Sequence, residues 1–334
     1  MRAVVLVGGF GTRLRPLTYS VPKPMLPVGH LPIIERLIGN LVRGGVTDVV
    51  LALGFKPEPF LDAYPDGTCA GATLTYAVEP EPLDTGGAIR FAALFASIVE
   101  TFIVVNGDVL TDLDVAALVA FHRTNNAEIT LHLTPVEDPS SFGVVEMDQH
   151  GLVSRFIEKP APGTAPSNLI NAGTYVFEPS VIARIPDGRK VSIEREIFPV
   201  VAAESRLWAS ATDDYWIDTG RPDLYLQANL DVISERRAVH NRARAVHDEA
   251  TVGDDVALSC SVVAAGAFIG DGAYVSNSVI LDGAMIGAGA TVSGSVVMGH
   301  VGSGASLSSC VIGADAVVAD GDNLVDQRLP DPAG

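Results

Sequence analysis

The sequence predicts two parts, an α/β domain followed by a short left-handed parallel β-helix. Over about the first 235 residues, strand-like apolar segments alternate with helix-like segments, which is typical of layered α/β folds. From Thr251 onward the texture changes to small residues, glycines and regularly spaced aliphatic side chains. These two textures predict two different architectures within one chain.

Within the α/β part, apolar runs and helical periodicity locate the elements. The predicted strands are residues 3–7, 48–53, 73–78, 102–106, 128–133, 143–147, 152–157 and 174–177. The predicted helices are residues 33–43, 114–125 with Asp114 as N-cap, and 222–234 with proline and aspartate in the first turn.

The second part contains four echoes of one short pattern: SCSVV from Ser259, SNSVI from Ser276, SGSVV from Ser293 and SSCVI from Ser308. Aliphatic residues recur every five or six positions, which predicts four coils with one inward aliphatic on each flat face. The predicted inward residues are Val252, Leu258, Val263, Ile269, Val275, Ile280, Ile286 and Val292. This pattern resembles the hexapeptide-repeat solenoids.

Composition excludes several classes of protein. The 40 acidic and 22 basic residues give a formal net charge of −18, which disfavours binding to nucleic acid or to an anionic membrane. Three scattered cysteines indicate no disulfide framework, and no apolar run approaches the length of a membrane span. We therefore expect a cytoplasmic protein. The arginine-rich segment 235–250 is interpreted as a linker or subunit contact, with a local nucleic-acid patch as the alternative.

The strongest chemical signal lies in residues 6–25, LVGGFGTRLRPLTYSVPKPM. Its glycines (Gly8, Gly9 and Gly11) allow the backbone to turn its N–H groups toward an anion. Four basic residues precede the first acidic residue, Glu35. Among them, Arg13 and Lys23 are suited to neutralising phosphate oxygens.

This segment resembles the signature loop of the sugar-1-phosphate nucleotidyltransferases, GGxGTRLxPLT…PKPM. The resemblance implies a Rossmann-like mixed-sheet catalytic domain, with Leu6 and Thr12 contacting the nucleotide beside the glycines, and with Arg13 and Lys23 as catalytic residues. It extends to the mannose-1-phosphate guanylyltransferase branch, in which such a domain precedes a short left-handed β-helix.

Two further motifs each supply a carboxylate. VVNGDVL places Gly107 and Asp108 at the end of a predicted strand, where open α/β sheets bind ligands. YWIDTGRP places Asp218 just before a glycine turn. The resemblance implies that Asp108 and Asp218 hold Mg²⁺, that Asp108 is catalytic, and that Gly107 contacts the nucleotide. Taken alone, an NGD turn is more often structural, and Asp218 is equally compatible with a buried or capping aspartate.

Three triplets between these motifs resemble the sugar-phosphate pocket of the family: Phe142-Gly143, Glu158-Lys159-Pro160 and Asn171-Ala172-Gly173. The resemblance implies that Lys159 holds the sugar phosphate. Glu158 and Asn171 would bond sugar hydroxyls, with Gly143 and Gly173 offering backbone.

The segment EPEPLDTGGA resembles the loop that meets the nucleotide base, which implies base contacts from Glu79, Asp84, Thr85 and Gly86. The family pattern has glycine where this chain has Asp84. A carboxylate at Glu79 can accept hydrogen bonds from the guanine edge, so GTP is the favoured nucleotide.

The implied reaction transfers a nucleotidyl group to a sugar 1-phosphate and releases pyrophosphate, with GTP and mannose 1-phosphate as the leading pair. The predicted boundaries are a catalytic domain 1–235, a linker 236–250, a β-helix 251–325 and a tail 326–334. We expect a homo-oligomer, because an uncapped β-helix end leaves unpaired strand edges.

Several alternatives remain open on sequence alone. Within the class, the chain would be a glucose-1-phosphate thymidylyltransferase or serve a heptose or cyclitol phosphate. Outside it, the chain would be a catalytically silent regulatory homologue or a metal-dependent glycosyltransferase. His300, where the repeat shortens from 17 to 15 residues, would mark a loop and suits an acyltransferase as a further alternative.

Overall fold

The computed structural model describes residues 1–9, 11–54 and 57–332, so Phe10 of the glycine loop and the last two residues of the predicted tail lie outside the described part. The chain divides into two compact units. One comprises Met1–Gly9 and Ile34–Trp216, and the other comprises Phe10–Ile33 and Ile217–Gly334. Most of the signature loop thus clusters with the C-terminal part of the chain.

The first unit is built on a ten-stranded mixed sheet. Eight strands follow one another across it: Val153–Glu158, Gly143–Met147, Leu169–Phe177, Phe102–Asn106, Arg2–Leu6, Asp48–Leu53, Ala72–Val78 and Thr68–Cys69. Ile129–Pro135 and Leu207–Ala211 complete it beside Leu169–Phe177. A short strand, Val109–Thr111, follows the Phe102–Asn106 strand.

Four central strands are parallel, and their order in the sheet indicates where a ligand can bind. The Arg2–Leu6 strand pairs with Asp48–Leu53 on one side and with Phe102–Asn106 on the other. Later strands are thus added first on one side of Arg2–Leu6 and then on the other, so the strand order reverses at this strand. In such sheets the crevice for a ligand lies beyond the carboxyl ends of the strands at this switch point.

Helices of the first unit cover the sheet: Ile33–Arg43, Glu58–Ala63, Asp84–Phe95, Val115–Thr124, Ser180–Arg184 and Phe198–Ala203, with a π-helical turn at Ile193–Ile197. The first matches its predicted bounds and buries Ile34, Ile38 and Leu41. The Asp114 carboxylate caps the fourth, as predicted, by accepting the Ala117 N–H at 3.0 Å.

The second unit begins with three 3₁₀ turns, Thr12–Leu14, Leu17–Tyr19 and Lys23–Met25, and a small antiparallel pair, Pro27–Val28 with Leu31–Pro32. It continues with the Trp216–Asp218 strand, whose first residue belongs to the first unit, the Pro222–Val232 helix and a 3₁₀ turn at Val239–Asn241. A parallel β-helix completes it.

Three five-stranded parallel sheets form the faces of this β-helix. The first contains Thr251–Val252, Phe268–Ile269, Met285–Ile286, His300–Val301 and Val317–Val318. The second contains Ala257–Ser259, Tyr274–Ser276, Thr291–Ser293, Ser306–Ser308 and Asn323–Val325. The third contains Val262–Val263, Val279–Ile280, Val296–Val297, Val311–Ile312 and Arg328–Leu329. Together with the α/β unit, this confirms the predicted fold class.

The repeated serine pattern forms a buried ladder at one corner. In the first three echoes the second serine donates to the carbonyl of the first, as Ser278 does to Ser276 at 2.7 Å. Its oxygen then accepts the N–H of the equivalent residue one coil later, as Ser278 does from Ser295 at 3.1 Å. In the fourth echo the Cys310 thiol takes the place of this serine and donates to the Ser308 carbonyl. The residue between the two serines adopts a left-handed conformation, with φ of 47° at Asn277. The echo therefore encodes the corner that joins a strand of the second face to a strand of the third face.

The structure corrects the predicted β-helix in four respects. Each face has five strands, where four coils were predicted, and the last strand continues past residue 325 to Leu329. Val252 is 38% exposed and Leu258 is half-buried, because no earlier coil packs over the first one. His300 lies in a strand, not a loop. The shortening falls at the preceding corner, where a Cβ on Gly299 would lie 2.4 Å from the Ala316 carbonyl oxygen.

Across the described residues, no helix combines the length and the apolar character needed to cross a bilayer.

Candidate active site

At the switch point of the first unit, the loops that follow two adjacent parallel strands touch each other. The Gly107 N–H donates to the Leu6 carbonyl at 2.9 Å. A Cβ on Gly107 would lie 2.7 Å from that same oxygen, so only glycine permits this approach. Gly8 is similarly confined, since its Cβ would lie 3.2 Å from the Gly54 nitrogen, whereas the space around Gly9 is open. The predicted nucleotide residues Leu6, Gly8 and Gly107 are thus brought together.

Asp108 follows this contact and is partly exposed. Its neighbour Asn106 packs against the third predicted sugar triplet, because a Cβ on Gly173 would lie 2.8 Å from the Asn106 Nδ2. Gly173 adopts φ of 77°, and its N–H donates to the Asn171 Oδ1 at 3.0 Å. The NGD and NAG motifs therefore form one surface, although the sequence separates them widely.

Antiparallel pairing assembles the other sugar triplets. Gly143 lies opposite Glu158 in the sheet, and a Cβ there would meet the Phe156 ring at 2.4 Å and the Glu158 Oε2 at 3.0 Å. The Lys159 N–H donates to the Phe142 carbonyl at 3.0 Å. The Lys159 ammonium lies 3.7 Å from the Glu158 Oε1 and is 59% exposed, which leaves it accessible to an anion.

Trp216 joins these triplets to Asn171-Ala172-Gly173. Its ring packs edge-on against Phe142 with centroids 5.8 Å apart, and its indole N–H donates to the Ala172 carbonyl at 2.8 Å. All three predicted sugar triplets therefore lie around one aromatic pair.

A carboxylate that the sequence analysis did not single out belongs to the same region. Burial raises the pKa of Glu158, and the negative charge of Glu194 raises it further, against the opposing effect of Lys159. The Glu194 Oε2 accepts from the Thr85 hydroxyl at 2.7 Å and from the Ser192 hydroxyl at 2.9 Å. Glu194 follows no motif in the sequence, and its hydrogen bond with Thr85, 109 positions away, supports its place in the site.

The predicted base loop forms a tight turn before the Asp84–Phe95 helix. The Glu79 carboxylate is buried and accepts the Leu83 N–H at 3.0 Å, and burial raises the pKa of this carboxyl. Asp84 adopts φ of 62°, which explains why glycine suits this position. The Gly86 N–H donates to the Val191 carbonyl at 2.8 Å, and a Cβ there would lie 3.0 Å from that oxygen.

In the second unit, the predicted cationic residues converge on Gly220. A Cβ placed on Gly220 would lie 2.8 Å from the Arg13 Nη2, 2.8 Å from the Asp218 Oδ1 and 3.1 Å from the Lys23 Nζ. The Gly220 N–H itself donates to the Asp218 Oδ1 at 2.8 Å. Three residues predicted from two distant motifs thus surround one glycine.

The loop that carries Arg13 is folded on itself. Gly11 adopts φ of 56°, and the Thr18 hydroxyl donates to its carbonyl at 2.8 Å. A Cβ on Gly11 would lie 2.9 Å from the Thr18 methyl group. Gly11 therefore allows the chain to turn directly into the Thr12–Leu14 3₁₀ turn, which presents Arg13.

Comparison with known proteins identifies the family of each part of the chain. Residues 2–235 match the family described as "Nucleotidyl transferase". This chain belongs to that family. Residues 236–328 match the family described as "GlmU-like, C-terminal hexapeptide".

Several curated relatives resemble this nucleotidyl transferase over most of their length. A mannose-1-phosphate guanylyltransferase of Mycobacterium tuberculosis is 42% identical over 79% of this chain and 75% of its own. A probable mannose-1-phosphate guanylyltransferase 3 of Oryza sativa subsp. japonica is 40% identical over 76% of this chain and 73% of its own.

Solved structures extend the comparison. HddC from Yersinia pseudotuberculosis superposes with a TM-score of 0.58 at 28% identity, covering 68% of this chain and 97% of that protein. The same protein complexed with GMP-PN gives a TM-score of 0.57.

Nucleotidyl transferases of this family typically use a divalent metal ion. Asp108 and Asp218 are both partly exposed, and each stands in a turn at a strand end or ends a strand. Their carboxylate oxygens are the donors that hard divalent cations prefer. No group of three or more potential side-chain ligands occurs among residues 1–9, 11–54 and 57–332. Each of the two carboxylates therefore fits an ion whose other ligands are substrate phosphates.

Proposed function

We propose that this nucleotidyl transferase transfers a guanylyl group from GTP to mannose 1-phosphate, forming GDP-mannose and releasing pyrophosphate. The observation that carries the reaction class is the convergence of Arg13, Lys23 and Asp218 on Gly220. The substrate pair rests on the relatives, since proteins named for this activity in a bacterium, plants and fungi are 39–42% identical to the chain.

The reaction needs no protein nucleophile. An oxygen of the sugar phosphate attacks the α-phosphorus of GTP, the bond from that phosphorus to the bridging oxygen breaks, and the electron pair leaves with pyrophosphate. Catalysis then consists of positioning and charge neutralisation. Arg13 and Lys23 take the developing negative charge of the pyrophosphate, and the N–H groups near Gly8, Gly9, Gly11 and Thr12 orient the phosphates.

The acceptor lies against the three triplets around Trp216. The exposed ammonium of Lys159 binds the sugar phosphate. Glu158 accepts hydrogen bonds from sugar hydroxyls, and Asn171 can both accept and donate them. The backbone at Gly143 and Gly173 lines the pocket. The pair Glu158–Lys159 suits this task because one member repels the phosphate while the other attracts it, which fixes the orientation of the sugar.

Guanine recognition is assigned to the turn between Glu79 and Gly86. The Glu79 Oε2 already accepts the Leu83 N–H, so the remaining carboxylate oxygen is the one offered to the base. Asp84, Thr85 and Gly86 present the start of the following helix to the nucleotide.

Mg²⁺ is the proposed metal, with Asp108 and Asp218 as its carboxylate ligands. When bound, the ion neutralises phosphate charge and draws the attacking and receiving groups together. Asp108 would keep its carboxylate directed at the ligand through the tight Gly107 turn. Asp218 would do so through its hydrogen bond from the Gly220 N–H.

The chain is further proposed to act in the cytoplasm and as a homo-oligomer. An apolar stripe on the first face of the β-helix supports self-association, because Phe268 is 40%, Met285 43% and Val317 72% exposed. Light scattering at micromolar concentration tests this, and a monomer contradicts it. The proposed domain limits are a catalytic domain 1–235, a linker 236–250 and a β-helix from 251 through Leu329, four residues beyond the predicted limit of 325.

The decisive experiment is a matrix of pyrophosphate release with Mg²⁺. GTP, dTTP, UTP, ATP and CTP are crossed with the 1-phosphates of mannose, glucose and N-acetylglucosamine. A clear maximum with GTP and mannose 1-phosphate is expected. A maximum at another pair keeps the reaction and overturns the substrates, while no activity anywhere favours a silent regulatory homologue.

Arg13→Ala tests the reaction class. Turnover is expected to fall by about two orders of magnitude or more while the fold is retained, because the guanidinium stabilises charge that develops in the transition state. Arg123→Ala, on an exposed position of the Val115–Thr124 helix, is the control for loss of one positive charge. Near-normal turnover in Arg13→Ala contradicts the proposed reaction.

A further inference from the structure

The backbone carbonyl of Arg13 lacks the hydrogen bond that a 3₁₀ turn ordinarily provides. In a 3₁₀ helix, the carbonyl of one residue accepts from the N–H three positions later. The Gly11 and Thr12 carbonyls follow this rule, accepting from Leu14 at 2.9 Å and Arg15 at 3.3 Å. Three positions after Arg13 stands Pro16, which has no N–H.

The missing donor comes from the last coil of the β-helix. The Arg328 Nη1 donates to the Arg13 carbonyl oxygen at 3.2 Å. These two residues are 315 positions apart and belong to the same compact unit. A contact so far along the chain joins the end of the β-helix to the backbone of the residue whose side chain lies beside Lys23 and Asp218.

A second contact involves Pro16 itself. Gly313 follows a strand of the third face, and a Cβ there would lie 3.0 Å from the Pro16 Cβ and 3.3 Å from its Cγ. The proline ring therefore rests directly on the Gly313 backbone. One coil earlier, the Ser20 hydroxyl lies 3.7 Å from the Met298 sulfur.

The burial of the third face agrees with these contacts. Neighbouring residues of a strand point to opposite sides, so one residue of each two-residue strand points away from the interior of the β-helix. Both residues are nevertheless buried in Val262–Val263, Val279–Ile280 and Val296–Val297. On the first face, by contrast, Phe268 and Met285 are exposed. The third face is a packing surface.

We propose that Arg328 is a positioning residue for the reaction, acting through Arg13: the terminal coil of the β-helix holds the turn that aims the Arg13 guanidinium at the pyrophosphate group. The inference rests on the proposed role of Arg13 and gives the β-helix a part in substrate binding. Arg328 itself touches no substrate in this scheme.

The test measures the binding of Mg²⁺–pyrophosphate to the full chain by calorimetry. Arg328→Met is expected to weaken binding about two- to twelvefold, which corresponds to the loss of one net hydrogen bond of about 0.5–1.5 kcal/mol. Arg328→Lys, which keeps a cationic donor, is expected to recover part of the affinity. Asn323→Ala, at another exposed position of the same coil, is the control and should bind like the parent chain.

Calorimetry separates positioning from a purely structural role. A smaller folded fraction lowers the stoichiometry and leaves Kd unchanged, whereas misplacement of Arg13 raises Kd at unchanged stoichiometry. Gly313→Ala provides a second approach to the same turn, since its Cβ pushes Pro16 away, and it should raise Kd in the same direction.

Each outcome decides something. If Arg328→Met and Gly313→Ala bind pyrophosphate as the parent chain does, or lose only stoichiometry, the inference is wrong and the proposed function stands. If both variants raise Kd but the activity matrix shows no guanylyl transfer to mannose 1-phosphate, the inference stands and the proposed function fails. If the parent chain does not bind pyrophosphate, the inference is wrong, and the activity matrix alone decides the proposed function.

Discussion

The ammonium of Lys23 lies 3.6 Å from the Oδ1 of Asp218. Lys23 is buried, and the Asp218 side chain is 21% exposed, so this pair is only partly screened by water. The same carboxylate oxygen accepts the Gly220 N–H. The Lys23 ammonium is therefore a fixed positive charge for the anion that binds beside it.

Replacing Lys23 by methionine is expected to reduce turnover about 100-fold or more, because a preorganised charge at a developing anion is worth several kcal/mol. The measurement is steady-state pyrophosphate release at saturating substrates. Arg123→Met removes one charge at an exposed position and should stay within twofold of the parent chain. A Lys23→Met enzyme within threefold of the parent chain would show that Lys23 supports only the fold.

The Glu158 carboxylate should lower the stability of the folded chain while it strengthens the binding of the sugar phosphate. Its pKa is raised chiefly by burial, so the folded state prefers the protonated form. The stability this contributes is present at pH values below the ordinary glutamate pKa and is lost as pH rises through the higher pKa of the folded state. Glu158→Gln is therefore expected to raise Tm at pH 7–8. It should also raise KM for the sugar phosphate at least tenfold.

The pH dependence of Glu158→Gln gives an independent check. The parent chain should gain affinity for the sugar phosphate as pH rises through the raised pKa of Glu158, because the carboxylate is the form that accepts hydrogen bonds from sugar hydroxyls with both oxygens. That limb should be absent from the Glu158→Gln profile. An unchanged Tm at pH 7–8 together with an unchanged KM contradicts both parts.

Asp84 occupies a left-handed conformation at the start of the base loop. Asp84→Gly should leave the free energy of unfolding within about 1 kcal/mol of the parent chain, since glycine adopts this conformation freely. Asp84→Val should lose about 1–3 kcal/mol, because a branched side chain is strained there. Urea unfolding measures both, and equal stabilities of the two variants would contradict the assignment of strain.

The buried serine ladder should contribute to the stability of the β-helix. Ser278→Ala leaves the Ser295 N–H without its acceptor in a buried corner, which should cost about 1–3 kcal/mol of unfolding free energy. Ser303→Ala is the matched control, because Ser303 is exposed, and it should change stability by less than about 0.5 kcal/mol. Equal effects of the two substitutions would show that the ladder contributes nothing.

Local pattern was sufficient for many elements. The Ile33–Arg43 helix and the strands Asp48–Leu53, Phe102–Asn106 and Gly143–Met147 have their predicted bounds, because an apolar period and flanking turn residues mark both ends. The strand predicted at residues 174–177 begins at Leu169 instead. Its early part contains the left-handed Gly173 and a shift of register, which interrupt the strand pattern without ending the pairing.

The site divides in the same way. The glycines, Arg13, Lys23, Asp108 and Asp218 could be singled out because each stands in a short motif of unusual composition. Glu194 could not, since its neighbours carry no such motif and its hydrogen-bonded partner Thr85 lies on another element. The hydrogen bond between Gly107 and Leu6 likewise depends on the pairing of two strands about 100 positions apart.

By itself, the sequence determined where strands end, where glycine must turn the chain and where a coil repeats, because these properties depend on neighbours within a few residues. Tertiary structure alone decided that Arg13, Lys23 and Asp218 meet at Gly220, and that Arg328 supplies the donor that Pro16 lacks. Such contacts join residues hundreds of positions apart. Only the packing of the whole unit specifies them, since no local preference records which distant backbone will lie alongside.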